Sequence, residues 1–187
     1  LLAMPDKAPA GRKHCSALRG DHNAENASAA GLVLCCLGLD RDQIDHAMAS
    51  FAGLPHRLQT VAKMGAISFI NDSKATSFSA AKLALSSLEN IYWILGGLPK
   101  KNDKIDLSKF KNKIVKCYLI GKNITFFKKK ISKKFAYSVT KNIKNLIIEI
   151  LKDIKLQESK KKSILLSPAA ASFDQFTNFE NRGEEFK

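Results

Sequence analysis

The sequence predicts an α/β fold, a mostly parallel sheet of five or six strands with helices on both faces, preceded by a helical segment that has no strand. Three observations carry this expectation. From residue 66 onward, short apolar runs alternate with helical stretches, the pattern of strands joined by crossover helices. Residues 24–51 hold two helical patterns, and Gly53-Leu54-Pro55 then breaks the periodicity, which places a domain boundary there. Polar clusters follow three of the apolar runs, at Asn71–Lys74, Gly96–Lys100 and Ser167–Ser172. Sheets of this kind bind ligands beyond the carboxyl ends of their strands, so the three clusters are expected to share one cleft.

The elements follow in order. Residues 24–37 are Ala/Leu-rich and helical, with His22 or Asn23 near the start and Gly38 past the end. Residues 40–51 place Ile44, Met48 and Phe51 at i, i+4 and i+7, a second helix capped by Asp40. Ala66–Ile70 reads as a strand and Ser77–Leu88 as a helix, with Thr76 or Ser79 near its N-terminus. Ile91–Leu95 is a strand ending at Gly96-Gly97, and residues 106–111 form a short helix. Then come a strand at Ile114–Ile120, a helix at Asn123–Lys133, a short strand at Phe135–Val139 and a helix at Lys141–Leu156. Ile164–Ser167 is the last strand, and a final helix covers Phe173–Phe179.

Composition narrows the function classes. A chain of 187 residues with 45% apolar and 26% charged residues has an ordinary globular balance, which argues against wholesale disorder. No run of 18 apolar residues exists, so no transmembrane helix is expected. The start has neither a signal-peptide pattern nor an initiator Met, so the chain is expected to begin within a longer protein. Cys15, Cys35, Cys36 and Cys117 lack C-x-x-C spacing and read as reduced, mostly buried thiols. The net charge of +14 is unevenly spread. Lys100–Lys162 carries 20 lysines, no arginine and five acids, a net +15, and the rest of the chain nets −1. Groove readers rely on arginine for bidentate base contacts, so a solvated lysine coat is favoured over a nucleic-acid face.

Several residues could carry chemistry. Asn71-Asp72-Ser73-Lys74-Ala75-Thr76 sets an acid, a cation and two hydroxyls on one strand-to-helix turn. Such a turn could hold an anion through Lys74 and Thr76 and a sugar hydroxyl through Asp72, or be only a helix cap beside a surface lysine. Gly96-Gly97 permits close backbone approach to a ligand, with Lys100 in reach of an anion, although a Gly pair after a strand is often just a turn. His56 and Arg57 sit at the domain boundary, where they could meet a phosphate or form an inter-domain contact. Asn23 and Asn26 lie at i and i+3, able to read a purine edge or to cap the helix. Ser172 could cap the last helix or donate to a carboxylate. Neither G-x-x-x-x-G-K-[ST] nor G-x-G-x-x-G occurs.

Together the segments LRGDHNAENASAA, GLPHRLQTV, FINDSKATS, ILGG-x-x-K and LLSPAAASFDQFTNFENRGEEF resemble the Mur ligases, the ATP-dependent amide-forming enzymes of peptidoglycan precursor synthesis. The likeness is to the branch that adds D-glutamate. It implies that residues 1–52 are the tail of the central, P-loop-bearing ATP domain and 53–187 a Rossmann-like C-terminal domain. It further implies an ATP site touched by Asn23, Asn26, His56, Arg57 and Asp72. Lys74 and Thr76 are implied to stand near the phosphates and the incoming amine. A D-glutamate pocket would be formed by Thr76, Lys100, Ser172, Phe173 and Phe179. The implied substrates are UDP-N-acetylmuramoyl-L-alanine, D-glutamate and ATP, in a bacterial cytoplasm and without a membrane. Magnesium is expected on ligands in the missing part of the central domain, and a partner polypeptide could supply what is missing. A non-catalytic remnant and a lysine-rich nucleic-acid binder are the alternatives from other classes.

Overall fold

The computed structural model describes residues 21–101, 103, 106–131, 133–154 and 160–187. Cys15, residues 18–20 of the first motif, residues 155–156 at the end of a predicted helix and the side chain of His22 lie outside the described residues. The chain divides into two compact units between Gly53 and Leu54.

The first unit holds α1 (Asp21–Cys36) and α2 (Arg41–Ser50). Asp40 caps α2 by accepting from the Gln43 N–H, while the Gln43 side chain accepts from the Asp40 N–H, a reciprocal capping box. Ile44 is buried, but Phe51 falls just outside α2 and is exposed. Cys35 and Cys36 are exposed on the last turn of α1, which corrects the expectation of buried thiols. Two short helices offer too little partner surface to cover an Ala/Leu-rich stretch on all sides.

The second unit is a six-stranded sheet: β1 (Gln59–Met64), β2 (Ile67–Asn71), β3 (Ile91–Gly96), β4 (Ile114–Ile120), β5 (Tyr137–Val139) and β6 (Lys162–Leu166). Their spatial order is β1-β2-β6-β3-β4-β5. All pairs are parallel except β1–β2. The helices are α3 (Phe78–Ser87), α4 (Ile124–Ile131), α5 (Ile143–Asp153) and α6 (Phe179–Glu185), with a 3-10 turn at Ser108–Phe110.

Successive strand residues point to opposite faces, and each face has its own core. Trp93, Leu95, Cys117 and Leu119 pack with Phe78, Leu85, Phe127 and Ile131 of α3 and α4. Tyr92, Ile94, Tyr118 and Ile120 pack instead with Ile143, Leu146 and Ile150 of α5. Burial on both faces is why IYWIL is an unbroken apolar run and why IVKCYLI is interrupted only at the half-buried Lys116.

Three expectations need correction. First, β1 was not expected. Its residues QTVAKM are mostly exposed, and it pairs antiparallel at the sheet edge through a hairpin at Gly65, whose φ is 56°. Polar edge strands bury too little to show an apolar run. Second, the helix expected over Ser77–Leu88 runs from Phe78 to Ser87 with Ser77 as its cap; the Ser77 hydroxyl accepts from the Ala80 N–H, and Thr76 and Ser79 flank it. Third, the last helix begins at Phe179 instead of 173. The Asn178 side chain caps it by accepting from Asn181, and residues 172–178 form turns in which the Ser172 carbonyl takes the Gln175 and Phe176 N–H groups.

Most described lysines of the charged stretch are exposed, but Lys162 is buried on β6. Lys116 bridges Glu149 and Asp153 on α5, and Lys128 and Lys130 lie over the rings of Tyr137 and Phe126. Exposed cation–ring contacts are weak. Lys-to-Gln changes at Lys128, Lys129 and Lys130 are therefore expected to alter stability by about 0.5 kcal/mol each or less. Urea titration of the single variants checks this, and micromolar oligonucleotide binding lost in the triple variant would restore the nucleic-acid reading.

Candidate functional site

The strand order β2-β6-β3 brings the three polar clusters side by side at one edge of the second unit. The Asp72 N–H donates to the Leu166 carbonyl at 2.8 Å, and the Gly96 N–H to the Pro168 carbonyl at 3.0 Å. Leu98 and Ala171 exchange hydrogen bonds of 2.8 and 3.0 Å. Gly96 and Gly97 are required there. Both have φ above 130°, and a Cβ on either would overlap the carbonyl of Ile120 or Ala171.

Asp72 is a buried carboxyl group of this edge, with 8% of its surface exposed. Its Oδ2 accepts from the Ser167 hydroxyl at 2.7 Å and its Oδ1 from the Leu58 N–H at 3.3 Å. Burial pushes its carboxyl up to about 6, against the opposing pull of Ser167, the Leu58 N–H and Arg57. Between roughly pH 4 and 6 the folded state therefore holds a proton that the unfolded chain has released. Stability is expected to fall as pH rises through that window, by up to about 3 kcal/mol, and to level off above it. Asp72→Asn should remove this slope and gain stability at neutral pH, as denaturant titrations from pH 4 to 8 would show.

The other expected residues surround Asp72 unevenly. Arg57 is exposed beside it and His56 is buried. Lys74 is exposed with Nζ 3.8 Å from the centre of the Phe179 ring, and Thr76 is half-buried one turn on. Lys100 is exposed on the loop after β3. Ser172 is buried, whereas Phe173 is 70% exposed. Phe179 opens α6, where its carbonyl accepts from the Ser73 hydroxyl at 2.8 Å. Asn23 and Asn26 share one side of α1 in the first unit.

Arg182 was quoted in the last motif without a role, yet it ties this edge together. It is 1% exposed. Its Nε donates to the Ser73 hydroxyl at 3.0 Å, its Nη2 to the Ser73 carbonyl at 2.8 Å and its Nη1 to the Ala170 carbonyl at 3.0 Å. The guanidinium thus joins the turn carrying Asp72 and Lys74 to the loop carrying Ser172. Burial lowers its affinity for its proton, to a pKa of about 10, which leaves it charged at neutral pH. The sequence held a signal for it: Arg182 is the one arginine after Arg57, in a stretch whose other basic residues are all lysine. Only a planar fork makes this set of bonds.

No family model matches the sequence. Curated relatives do. Over 169 residues the chain is 43% identical to the UDP-N-acetylmuramoylalanine–D-glutamate ligase of Rhizobium johnstonii, covering 90% of this chain and 36% of that protein. Over that stretch the chain is homologous to part of a Mur ligase. The corresponding ligase of Bartonella henselae is 42% identical over 183 residues, covering 94% of this chain and 39% of its own length. The chain thus spans a little over a third of the length of the curated relatives it matches. Among solved structures, MurC of Thermotoga maritima superimposes with a TM-score of 0.63 at 16% identity, covering 90% of this chain and 37% of that one. MurF of Acinetobacter baumannii gives 0.61 at 16% identity, covering 83% and 36%. These two likenesses establish a shared fold.

Asp72 keeps acceptor lone pairs beyond its two bonds, the exposed Lys74 stands two residues on, and the exposed Arg57 acts on Asp72 through its charge; a sugar hydroxyl and a phosphate call for groups of these kinds. Among the described residues no group of His, Cys, Asp or Glu could hold a metal ion, so no step through magnesium is derived for this chain. No helix among them is long and apolar enough to cross a membrane.

Proposed function

We propose that this chain is the C-terminal part of an ATP-dependent UDP-N-acetylmuramoyl-L-alanine–D-glutamate ligase. Residues 1–52 would be the tail of the central ATP-binding domain and 53–187 the C-terminal domain. The observation that carries this reading is the 43% identity to D-glutamate ligases across nine-tenths of the chain. The geometry supports it by bringing Asp72 and the Ser167–Ser172 loop together at the ends of the adjacent strands β2 and β6.

The reaction activates a carboxylate as an acyl phosphate. The amine of D-glutamate attacks it, and phosphate leaves from the tetrahedral intermediate. A free amine needs no nucleophilic side chain from the protein. The residues of this chain bind and orient. Asp72 takes ribose hydroxyls, and Arg57 and Lys74 offset phosphate charge. Lys100, Ser172, Thr76, Phe173 and Phe179 form the D-glutamate side, holding the amine toward the acyl phosphate. Magnesium ligands and the phosphate loop are assigned to the remaining length of the ligase. The setting is cytoplasmic, and the partners are these small molecules together with whatever polypeptide carries the other domains.

The test is a transplant. This chain replaces the matching segment of the Rhizobium johnstonii relative, and ADP release is followed with UDP-N-acetylmuramoyl-L-alanine, ATP and magnesium. D-glutamate-dependent turnover is expected. A folded transplant that ignores D-glutamate would contradict the reading.

A further inference from the structure

His56 was expected, from the family likeness, to contact ATP. Its surroundings assign it another role. The residue is 4% exposed, and its ring is enclosed by protein groups. Nδ1 lies 3.2 Å from the Asn71 side-chain nitrogen, and Nε2 lies 3.4 Å from Oε1 of Glu184. Phe179 meets the ring edge-on with centroids 6.0 Å apart. Gly183 lies so close that a Cβ there would overlap the ring.

The orientation of Asn71 is fixed twice over. Its nitrogen donates to the Gly183 carbonyl at 2.9 Å, and its oxygen accepts from the Ser73 N–H at 3.2 Å. A flipped amide would set oxygen against carbonyl and nitrogen against N–H. The Asn71 nitrogen therefore faces His56 as a donor, and Nδ1 must present a lone pair. The single ring proton then sits on Nε2, directed to the Glu184 carboxylate.

The backbone of His56 is equally committed. Its N–H donates to Oε1 of Gln59 at 3.2 Å, and its carbonyl accepts from the Lys74 N–H at 3.1 Å. His56 and Leu58 both adopt left-handed backbone, with φ of 60° and 46°. Non-glycine residues hold that conformation only where their surroundings over-determine it. Two such residues around Arg57 leave it exposed and aim the Leu58 N–H at Asp72.

We infer that His56 is a positioning residue: locked by Asn71 as the neutral Nε2–H tautomer and seated on Gly183, it anchors the turn that sets Arg57 and the Leu58 N–H against Asp72. That Asp72 and Arg57 serve a nucleotide rests on the function proposed above. The tautomer and the anchoring do not.

The test uses the full 187-residue chain, with its histidine rings labelled with nitrogen-15 for NMR at mildly alkaline pH. His56 should show the high-frequency signal of a bare nitrogen at Nδ1 and the low-frequency signal of a protonated one at Nε2. Excess ATP should leave both signals in place. A proton on Nδ1, with or without ATP, would overturn the inference. In Asn71→Asp the facing group can only accept, so Nδ1 should gain a proton. An unchanged Nδ1 in that folded variant would show that Asn71 is not the lock. His56→Ala should speed amide exchange at Leu58 and Lys74 by up to about tenfold, the worth of one hydrogen bond, while Trp93 on β3 keeps its protection. Full protection at Leu58 and Lys74 in that variant would overturn the anchoring role. If ATP perturbs neither Arg57 nor Asp72 while the wild-type tautomer is as stated, the nucleotide reading fails and this inference stands.

Discussion

Given UDP-N-acetylmuramoyl-L-alanine, ATP, magnesium and D-glutamate, the purified 187-residue chain is expected to release no ADP above the blank. Phosphoryl transfer from ATP needs a backbone cradle for the β and γ phosphates, a lysine at the γ-phosphate and a held magnesium ion. These 187 residues contain no G-x-x-x-x-G-K-[ST]. Among the described ones no carboxylate cluster could hold a metal. Under the proposed function, Asp72, Arg57 and Lys74 would hold the nucleoside end and one phosphate at most. Removing one transition-state contact typically costs a factor of 10² to 10³, and here the whole phosphate apparatus is outside the chain. Robust glutamate-dependent turnover by the chain alone, in a coupled ADP assay, would sink the proposed division of labour.

The second large effect concerns stability. Arg182→Met is expected to cost about 3–5 kcal/mol, a large part of the whole stability of an ordinary domain. Methionine fills the volume but leaves the carbonyls of Ser73 and Ala170 without the donors that now satisfy them. Arg182→Lys should recover less than half of the loss, because an ammonium cannot span a hydroxyl and two carbonyls in a fixed plane. Lys100→Ala, at an exposed position, should stay within about 0.5 kcal/mol of the parent. Urea unfolding followed by tryptophan fluorescence measures all three, since Trp93 lies in the core of the same sheet. An Arg182→Met chain as stable as the parent would remove Arg182 from the account.

What could be read in the sequence followed burial. β3 and most of β4 are covered on both faces, so their residues are apolar apart from Lys116, and Ile114–Ile120 matches the structure end to end. Asp40 was legible as a cap because it stands immediately before a periodic stretch. β1 was not legible, since an exposed edge strand is held by its hairpin partner and not by an apolar run of its own. The last helix was placed too early for a different reason. The small residues after Pro168 resemble a helix start, but Asn178 supplies the cap and the preceding residues turn instead.

The site was legible as three polar clusters after three strands, and the sheet order sets them together. Its internal wiring was not. Arg182 reaches Ser73 across more than a hundred residues, and His56 is turned inward by Asn71 and Gly183. Such pairings depend on packing between distant segments, which neither local periodicity nor a motif reveals.

The transplanted ligase can separate a nucleotide side at Asp72, after β2, from an amino-acid side at Lys100, after β3, on the same edge of the sheet. In the transplanted ligase, initial rates of ADP release are recorded for Asp72→Asn and Lys100→Ala, varying ATP and D-glutamate separately. Asp72→Asn is expected to raise the apparent KM for ATP, and Lys100→Ala that for D-glutamate, each by about tenfold with kcat little changed, as loss of a ground-state contact requires. Both variants matching the parent for both substrates, or ADP release independent of D-glutamate, would contradict the account.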